Sequence, residues 1–399
     1  MRIAPPWRKP VAGLVLALVA TLSAACSGGQ TAGGGTGGNN GGEAAPPATQ
    51  APPAPKIQIS PATGNTKVKP DKRVVVAASG GTLDEVSVQA GGQEVRGAFN
   101  ADRTRWISKE PLKPSTGYTV SAKAGQTTQS STFTTQKPER ELKVIDVTPA
   151  VKGEKVGVGA PIIVRFNTAV TDKKAVEQAL QVNAEKPVDG AWRWVGDDQV
   201  IYRTAKYWPA HQTVTFTAAI TGVRGGDGLY GVADLTKKIE IGARQIATLD
   251  VRKKVMYVRH DGKLVQTMKV SSGMGTTREY TTTSGIHLTM EAVNPVWMES
   301  PGRKKGDPGY YKVLINHATR ISNSGEYVHA KDNVWAQGVR NVSHGCINAR
   351  PDQARWFYEH NQRGDIVDIT GTSRKLEWNN GWGFWQLSFK EWKKGSALK

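Results

Sequence analysis

The sequence predicts a mainly β protein: two antiparallel β-sandwiches, then a larger β-rich domain with one or two helices and a Trp-rich tail. Three observations carry this. Residues 57–137 and 138–243 are both rich in Val and Thr and break into short alternating runs such as RVVVAAS (73–79) and IIVRFN (162–167). Gly and Pro punctuate both at short intervals, as sandwich turns require. From about residue 244 the chemistry changes, because six of the seven histidines and one of only two cysteines lie beyond it. A chain of 399 residues is also too long for one core.

The N-terminus comes first. MRIAPPWRKP carries Arg2, Arg8 and Lys9 and no acid, and VAGLVLALVATLSAA (11–25) is a short apolar run ending in small residues. A stable span needs about 20 apolar residues, so 1–25 reads as a secretory signal. Cys26 follows, with Ser27-Gly28-Gly29 after it, a pattern that resembles the bacterial lipobox, in which the cysteine is acylated and becomes the new N-terminus. Leu22 stands one position earlier than the usual leucine, with Ser23 in its place; an ordinary secreted protein with an incidental cysteine is the alternative. Residues 26–56 then form a tether, flexible where Gly-rich and stiffer where Pro-rich. The expectation is an exported protein held at the cell membrane by lipid on Cys26 and facing the cell wall or periplasm.

The formal charge is +19, and +16 without Arg2, Arg8 and Lys9 of the leader. So basic a chain suits a polyanionic surrounding. The export signal argues against nucleic acid and for anionic lipid or acidic wall polymers, with simple solubility as the bland reading.

An echo joins the two sandwiches: Asp102…Trp106…Pro114-Ser-Thr-Gly-Tyr118-Thr-Val resembles Asp198…Tyr202…Pro209-Ala-His-Gln212-Thr-Val. The second also holds a helix candidate, TDKKAVEQAL (171–180), with Thr171 as its cap. Neither unit shows paired carboxylates, clustered histidines or a nucleophile, so both read as immunoglobulin-like spacers.

The third domain, 244–371, opens with strands marked by Leu249, Val251, Val255, Tyr257 and Leu264, and Asp261-Gly262 is a two-residue hairpin turn. Pro351 suits the first turn of a helix whose apolar stripe is Ala354, Phe357 and Tyr358 and which Gly364 stops. DIVDIT (365–370) returns as a strand. Residues 289–311 contain three prolines, three glycines and the cluster Arg303-Lys304-Lys305, so a long irregular lid is expected, tipped by Trp297 and Met298. The tail, 372–399, carries Trp378, Trp382, Trp385 and Trp392, expected to pack back on the domain.

RNVSHGCINAR (340–350) places the second cysteine, Cys346. With Cys26 lipidated it has no disulfide partner, and an unpaired thiol in an oxidising exterior implies a chemical use. A thiol titrates near ~8.5, so a neighbour must activate it. An imidazole does so as general base and then general acid. His344 lies two residues away, across a turn-forming Gly345. His329 ends the strand-like run Tyr327-Val328-His329 and can approach the sulfur from a separate strand, so His329 is favoured as base and His344 as a positioning residue. Gly345 lets the backbone close on a substrate, and the N–H groups of Gly345, Cys346 and His344 are candidate oxyanion donors. A buried structural cysteine is the bland reading. A zinc site from His329, His344 and Cys346 lacks a CxxC pair and the usual ligand spacing, so no metal or cofactor is expected.

Ser343-His344-Gly345-Cys346-Ile347-Asn348, with Tyr327-Val328-His329 upstream, resembles the signature of the L,D-transpeptidases of bacterial cell walls. The resemblance covers 244 to about 395, and the two preceding immunoglobulin-like units and the Trp-rich tail are similar to the mycobacterial and wider actinobacterial branch. It implies an acyl transfer on peptidoglycan. Cys346 would attack the amide between the L-centre of diaminopimelate and D-alanine in a donor tetrapeptide stem, and the thioester would pass to an acceptor amine as a 3→3 cross-link. By the same resemblance Tyr311 is the lid tyrosine, Ser324-Gly325 the donor-pocket pair, Asn348 the polar residue after the nucleophile, and the Ala330 carbonyl orients the base. A calcium loop of some relatives would fall at Arg224–Gly228, where Arg224 replaces an expected acid. Carbapenem β-lactams are the inhibitors implied. Hydrolysis by the same thiol, as an L,D-carboxypeptidase, or a non-catalytic wall-binding lipoprotein are the alternatives.

Overall fold

A computed structural model describes residues 53–300 and 302–398. The signal segment, Cys26 and the tether through residue 52 lie outside the described residues.

The first sandwich faces two four-stranded sheets, one ordered 56–60, 75–79, 105–108, 97–99 and the other 93–94, 85–90, 117–124, 127–134. In GYTVSAKA (117–124) strict alternation sends Tyr118, Val120, Ala122 and Ala124 inward. Tyr118, Val120 and Ala122 meet Val76, Trp106 and Phe133 in a core of their own. The second sandwich repeats the plan with sheets 144–148, 162–166, 199–204, 190–194 and 155–156, 235–241, 212–218, 180–184. The sequence echo falls on equivalent strands: Trp106 and Tyr202 each lie on the third strand of the first sheet, and Tyr118 and Gln212 near the start of the strand that follows in the opposite sheet. The helix in this unit is shorter than its sequence suggests, Lys173–Gln178, and Asp172 rather than Thr171 caps it. The Asp172 carboxylate accepts from Ala175 N at 3.4 Å, whereas Thr171 Oγ1 donates to Gly225 O. Leu180, already buried, opens the next strand.

In the third domain the strands are β1 (Gln245–Asp250), β2 (Val255–His260), β3 (Lys263–Ser271), β4 (Gly285–Leu288), β5 (Glu291–Val293), β6 (Val296–Glu299), β7 (Lys312–Ile315), β8 (Ala318–Arg320), β9 (Tyr327–Ala330), β10 (Ile347–Ala349) and β11 (Ile366–Thr370). Nine of them form one sheet in the order β4-β11-β1-β2-β3-β10-β9-β8-β5. Asp261 and Gly262, both at positive φ, make the β2–β3 turn. The helix Pro351–His360 lays Ala354 and Phe357 on the sheet.

Residues 289–311 are less irregular than their composition implies. β6 and β7 pair as a separate hairpin in the register Val296↔Ile315, Trp297↔Leu314, Met298↔Val313. Pro308 falls between these strands, where no ladder bond is needed. Alternation turns Trp297 and Leu314 to solvent, 61% and 49% exposed, and Met298 and Val313 inward.

The Trp-rich tail does pack back, chiefly on the second sandwich. Trp382, Phe384 and Trp392 belong to the same buried cluster as Trp192, Trp194 and Phe216. Trp392 Nε1 donates to Ala191 O and Trp385 Nε1 to Gly159 O, at 2.9 and 3.0 Å. The buried Arg203 guanidinium donates to Phe384 O and Leu387 O and lies over the rings of Trp385 and Trp392. Glu177, also buried, accepts from Ser396 Oγ, Ala397 N and Trp194 Nε1. Trp392→Ala should therefore cost about 3–5 kcal/mol, the usual range for a buried aromatic. Trp297→Ala, on the exposed hairpin face, should stay within about 0.5 kcal/mol of wild type. Chemical denaturation of the two variants checks the contrast.

Candidate active site

β9 and β10 run parallel, with Val328 opposite Ile347 and His329 opposite Asn348. Side chains alternate along each strand, so Val328 and Ile347 enter the hydrophobic core together. His329 and Asn348 then share the opposite face, and Cys346, two residues before Asn348, joins them. All three line one cavity of about 220 Å³ with Tyr311, His344, Met298 and Lys331.

The turn before β10 is clamped by its own side chains. Ser343 Oγ donates to Cys346 O at 2.5 Å and accepts from Gly345 N at 3.1 Å. Gly345 sits at φ +130°, a conformation that L side chains rarely adopt. Its carbonyl accepts from Thr282 Oγ1 at 2.7 Å. In a trans peptide C=O and N–H point in opposite directions, so this bond also fixes the Cys346 N–H. The Gly345 N–H, expected as an oxyanion donor, is committed to Ser343. The Cys346 and His344 N–H groups meet no acceptor among the described residues and remain for that task.

His329 is 4% exposed. Its Nδ1 donates to Ala330 O at 2.9 Å, which leaves Nε2 with its lone pair as the acceptor. Burial pushes this imidazole down to about 4, against the bond to Ala330. Burial pushes the Cys346 thiol up to about 12, against the Tyr327 N–H directed at it. Sγ–H donates to Gly325 O at 3.5 Å. At neutral pH the pair is thiol and neutral imidazole.

His344 lies outside this pocket of burial. It stacks on Tyr311, centroids 5.1 Å apart and planes within 5°, and packs against Tyr280 at 4.5 Å. Tyr311 thus fastens the hairpin over the nucleophile turn, and the paired Arg303 and Glu279, at 2.5 and 2.8 Å, fasten its connecting loop. Ser324 does not reach the cavity of His329. It lines a second one, of about 400 Å³, with Thr283, Arg374, Lys375 and Asn380. Asn380, from the tail, grips it twice at 2.9 Å, through Ser324 N and Oγ. Gly325 joins the two sides, since its carbonyl touches the thiol.

Sequence reasoning passed over Thr282, Glu326, Lys331 and Asn380. Glu326 alone left a signal, an acid inside the otherwise apolar run before His329. At Arg224–Gly228 the Arg224 guanidinium pairs with Asp227 and with Asp172. Among the described residues no cluster of His, Cys, Asp and Glu is placed to hold a metal.

Residues 244–369 match the L,D-transpeptidase catalytic domain family and residues 65–224 the bacterial Ig domain. The chain is 34% identical over 352 residues to L,D-transpeptidase 2 of Mycobacterium tuberculosis, covering 86% of this chain and 85% of that one. It is 34% identical over 361 residues to L,D-transpeptidase 5 of the same species, covering 87% and 78%. A solved L,D-transpeptidase in complex with imipenem is 31% identical, with a TM-score of 0.49 over 57% of this chain and 98% of the other.

The buried imidazole makes stability pH-dependent. An unfolded histidine titrates near ~6.5, whereas His329 resists protonation to about 4. Between these values the unfolded chain binds more protons, so stability falls as pH falls. The loss from this one group should reach roughly 3 kcal/mol by pH 4, and His329→Gln should lack it. Urea unfolding at pH 7 and near pH 4.5 tests this, and identical acid slopes in the two proteins would show His329 titrating normally.

Proposed function

As this chain belongs to the L,D-transpeptidase family, we propose that it forms 3→3 peptidoglycan cross-links through a thioester on Cys346. One observation carries the reading. The cysteine, a buried histidine with a free Nε2, and two unbonded backbone N–H groups converge on one cavity. As the sulfur attacks the donor carbonyl, its proton passes to His329 Nε2, and negative charge develops on the carbonyl oxygen beside the N–H groups of Cys346 and His344. Collapse breaks the amide. The proton on Nε2 goes to the departing D-alanine amine and the acyl group stays on sulfur. The side-chain amine of a second stem then attacks the thioester, His329 takes its proton, and the departing Cys346 thiolate receives that proton to regenerate the thiol.

The thiol lines the cavity under the hairpin, and Ser324 lines a second one beside the tail; Gly325, the chain neighbour of Ser324, accepts from Sγ. In this reading the donor is seated at Ser324–Gly325 and the acceptor arrives under the hairpin. Lipid on Cys26 and the tether belong to the same reading, as the means that hold the enzyme at the wall. A strained β-lactam offers the same electrophile, so carbapenems should acylate Cys346 and persist under the hairpin.

Mass spectrometry of products from a purified disaccharide-tetrapeptide decides between readings. Cross-linked dimers are expected, and tripeptides alone would reassign the protein as an L,D-carboxypeptidase. Cys346→Ala should make neither, and His329→Ala should lose at least ~10²-fold in rate. Meropenem should add one stoichiometric mass to Cys346, absent from Cys346→Ala.

A further inference from the structure

A buried acid lies between the two residues whose backbones touch the nucleophile and takes no part in the chemistry above. Glu326 is 3% exposed, and its two chain neighbours both touch the thiol: Gly325 O accepts from Sγ, and the Tyr327 N–H points at it. Its Cγ passes 3.9 Å from the place a Cβ on Gly345 would occupy. The carboxylate accepts from Thr283 N and Thr283 Oγ1, both at 2.7 Å. Thr283 Oγ1 is also 2.7 Å from Nε2 of His287, which is fully buried.

The bonds fix the proton count. His287 Nδ1 lies 3.0 Å from Gly285 O, which can only accept, so Nδ1 carries a proton. The single hydroxyl proton of Thr283 then serves one neighbour. Either it goes to Glu326 and Nε2–H donates to the hydroxyl, or a protonated Glu326 donates to the hydroxyl and the hydroxyl donates to Nε2. Both arrangements hold one shared proton with every bond made. Burial pushes the Glu326 carboxyl up, but the His287 imidazole 3.7 Å away and the bonds from Thr283 outweigh this and hold it below its usual value, which selects the charged form.

We propose that Glu326, balanced by His287 through Thr283, is a positioning residue that keeps the proton on Cys346 until substrate arrives. The proposal rests on the reading of Cys346 as nucleophile. The other groups facing the thiol are His329 from β9, Lys331 just after it, His344 from its own turn, Tyr311 beside β7 and Tyr327. Glu279, behind Tyr311, is engaged by Arg303, and Asp368 on β11 faces His287 from the far side. Glu326 is thus the acid next in the chain to both residues whose backbones touch the sulfur. Thiolate is the form that peroxide oxidises, so the carboxylate would protect an unpaired cysteine in an oxidising compartment.

The test reads the thiol and needs no stem substrate. Iodoacetamide and hydrogen peroxide are applied to the full reduced chain, with the Cys346 peptide resolved from Cys26 by mass spectrometry. Glu326→Gln can keep every bond, its amide oxygen accepting from Thr283 N and its NH2 donating to a hydroxyl that donates to a neutral His287. It should react about tenfold faster at pH 8, the change for one pKa unit of thiol. Glu326→Asp keeps the charge and should stay within about threefold of wild type. An unchanged rate in Gln, or equal acceleration in Gln and Asp, overturns the proposal. A second measurement needs no variant. In wild type the alkylation rate should keep climbing tenfold per pH unit through pH 9, beyond the ~8.5 of a free thiol. A plateau below pH 9 overturns the proposal as well. A protein that behaves as expected here yet makes no dimers would contradict the cross-linking reading alone.

Discussion

The register of two short parallel strands holds the site together. With Val328 opposite Ile347 the core face of β9 and β10 is closed, and the same register leaves His329 and Asn348 side by side on the other face. A slip of one residue would bury the imidazole's face in the core and expose two aliphatic side chains. The chemistry of the turn follows from this anchoring, because Cys346 is the residue through which the clamped turn enters β10. The helix Pro351–His360, packed on the same strands through Ala354 and Phe357, keeps β10 from shifting.

The same burial drives the two reactive groups in opposite directions. The sulfur is made a weaker acid and the imidazole a weaker base, so the resting pair carries no charge. In the proposed reaction no ion pair forms in advance, and charge separation coincides with attack, when the oxyanion meets the Cys346 N–H already aimed by the Thr282 bond to Gly345 O. That reading depends on donors fixed before the substrate arrives, and the buried Thr282 supplies the bond that fixes the Cys346 N–H.

What the sequence revealed depended on the distance over which each feature is encoded. The thiol, its histidines and the Gly345 turn lie in one short motif or on a recognisable strand, and the Asp261-Gly262 hairpin is equally local. The β6–β7 hairpin was masked because prolines and glycines in its loop dominate the composition around two four-residue strands. The helix cap was misplaced by one residue because Thr171 and Asp172 are both competent caps, and tertiary contact of Thr171 with Gly225 decided between them. The Glu326–Thr283–His287 chain and the grip of Asn380 on Ser324 join residues 43 and 56 positions apart, and no local pattern marks either.

The tail's position also bears on how the protein is made. The core of the second sandwich includes Trp382, Phe384 and Trp392, side chains that a ribosome or an export channel delivers some two hundred residues after that sandwich's own first strand. Domains usually complete in the order in which they emerge. Here the middle one cannot close its core in that order, because Arg203 and Glu177 find their burial partners among residues 384–397, beyond the third domain.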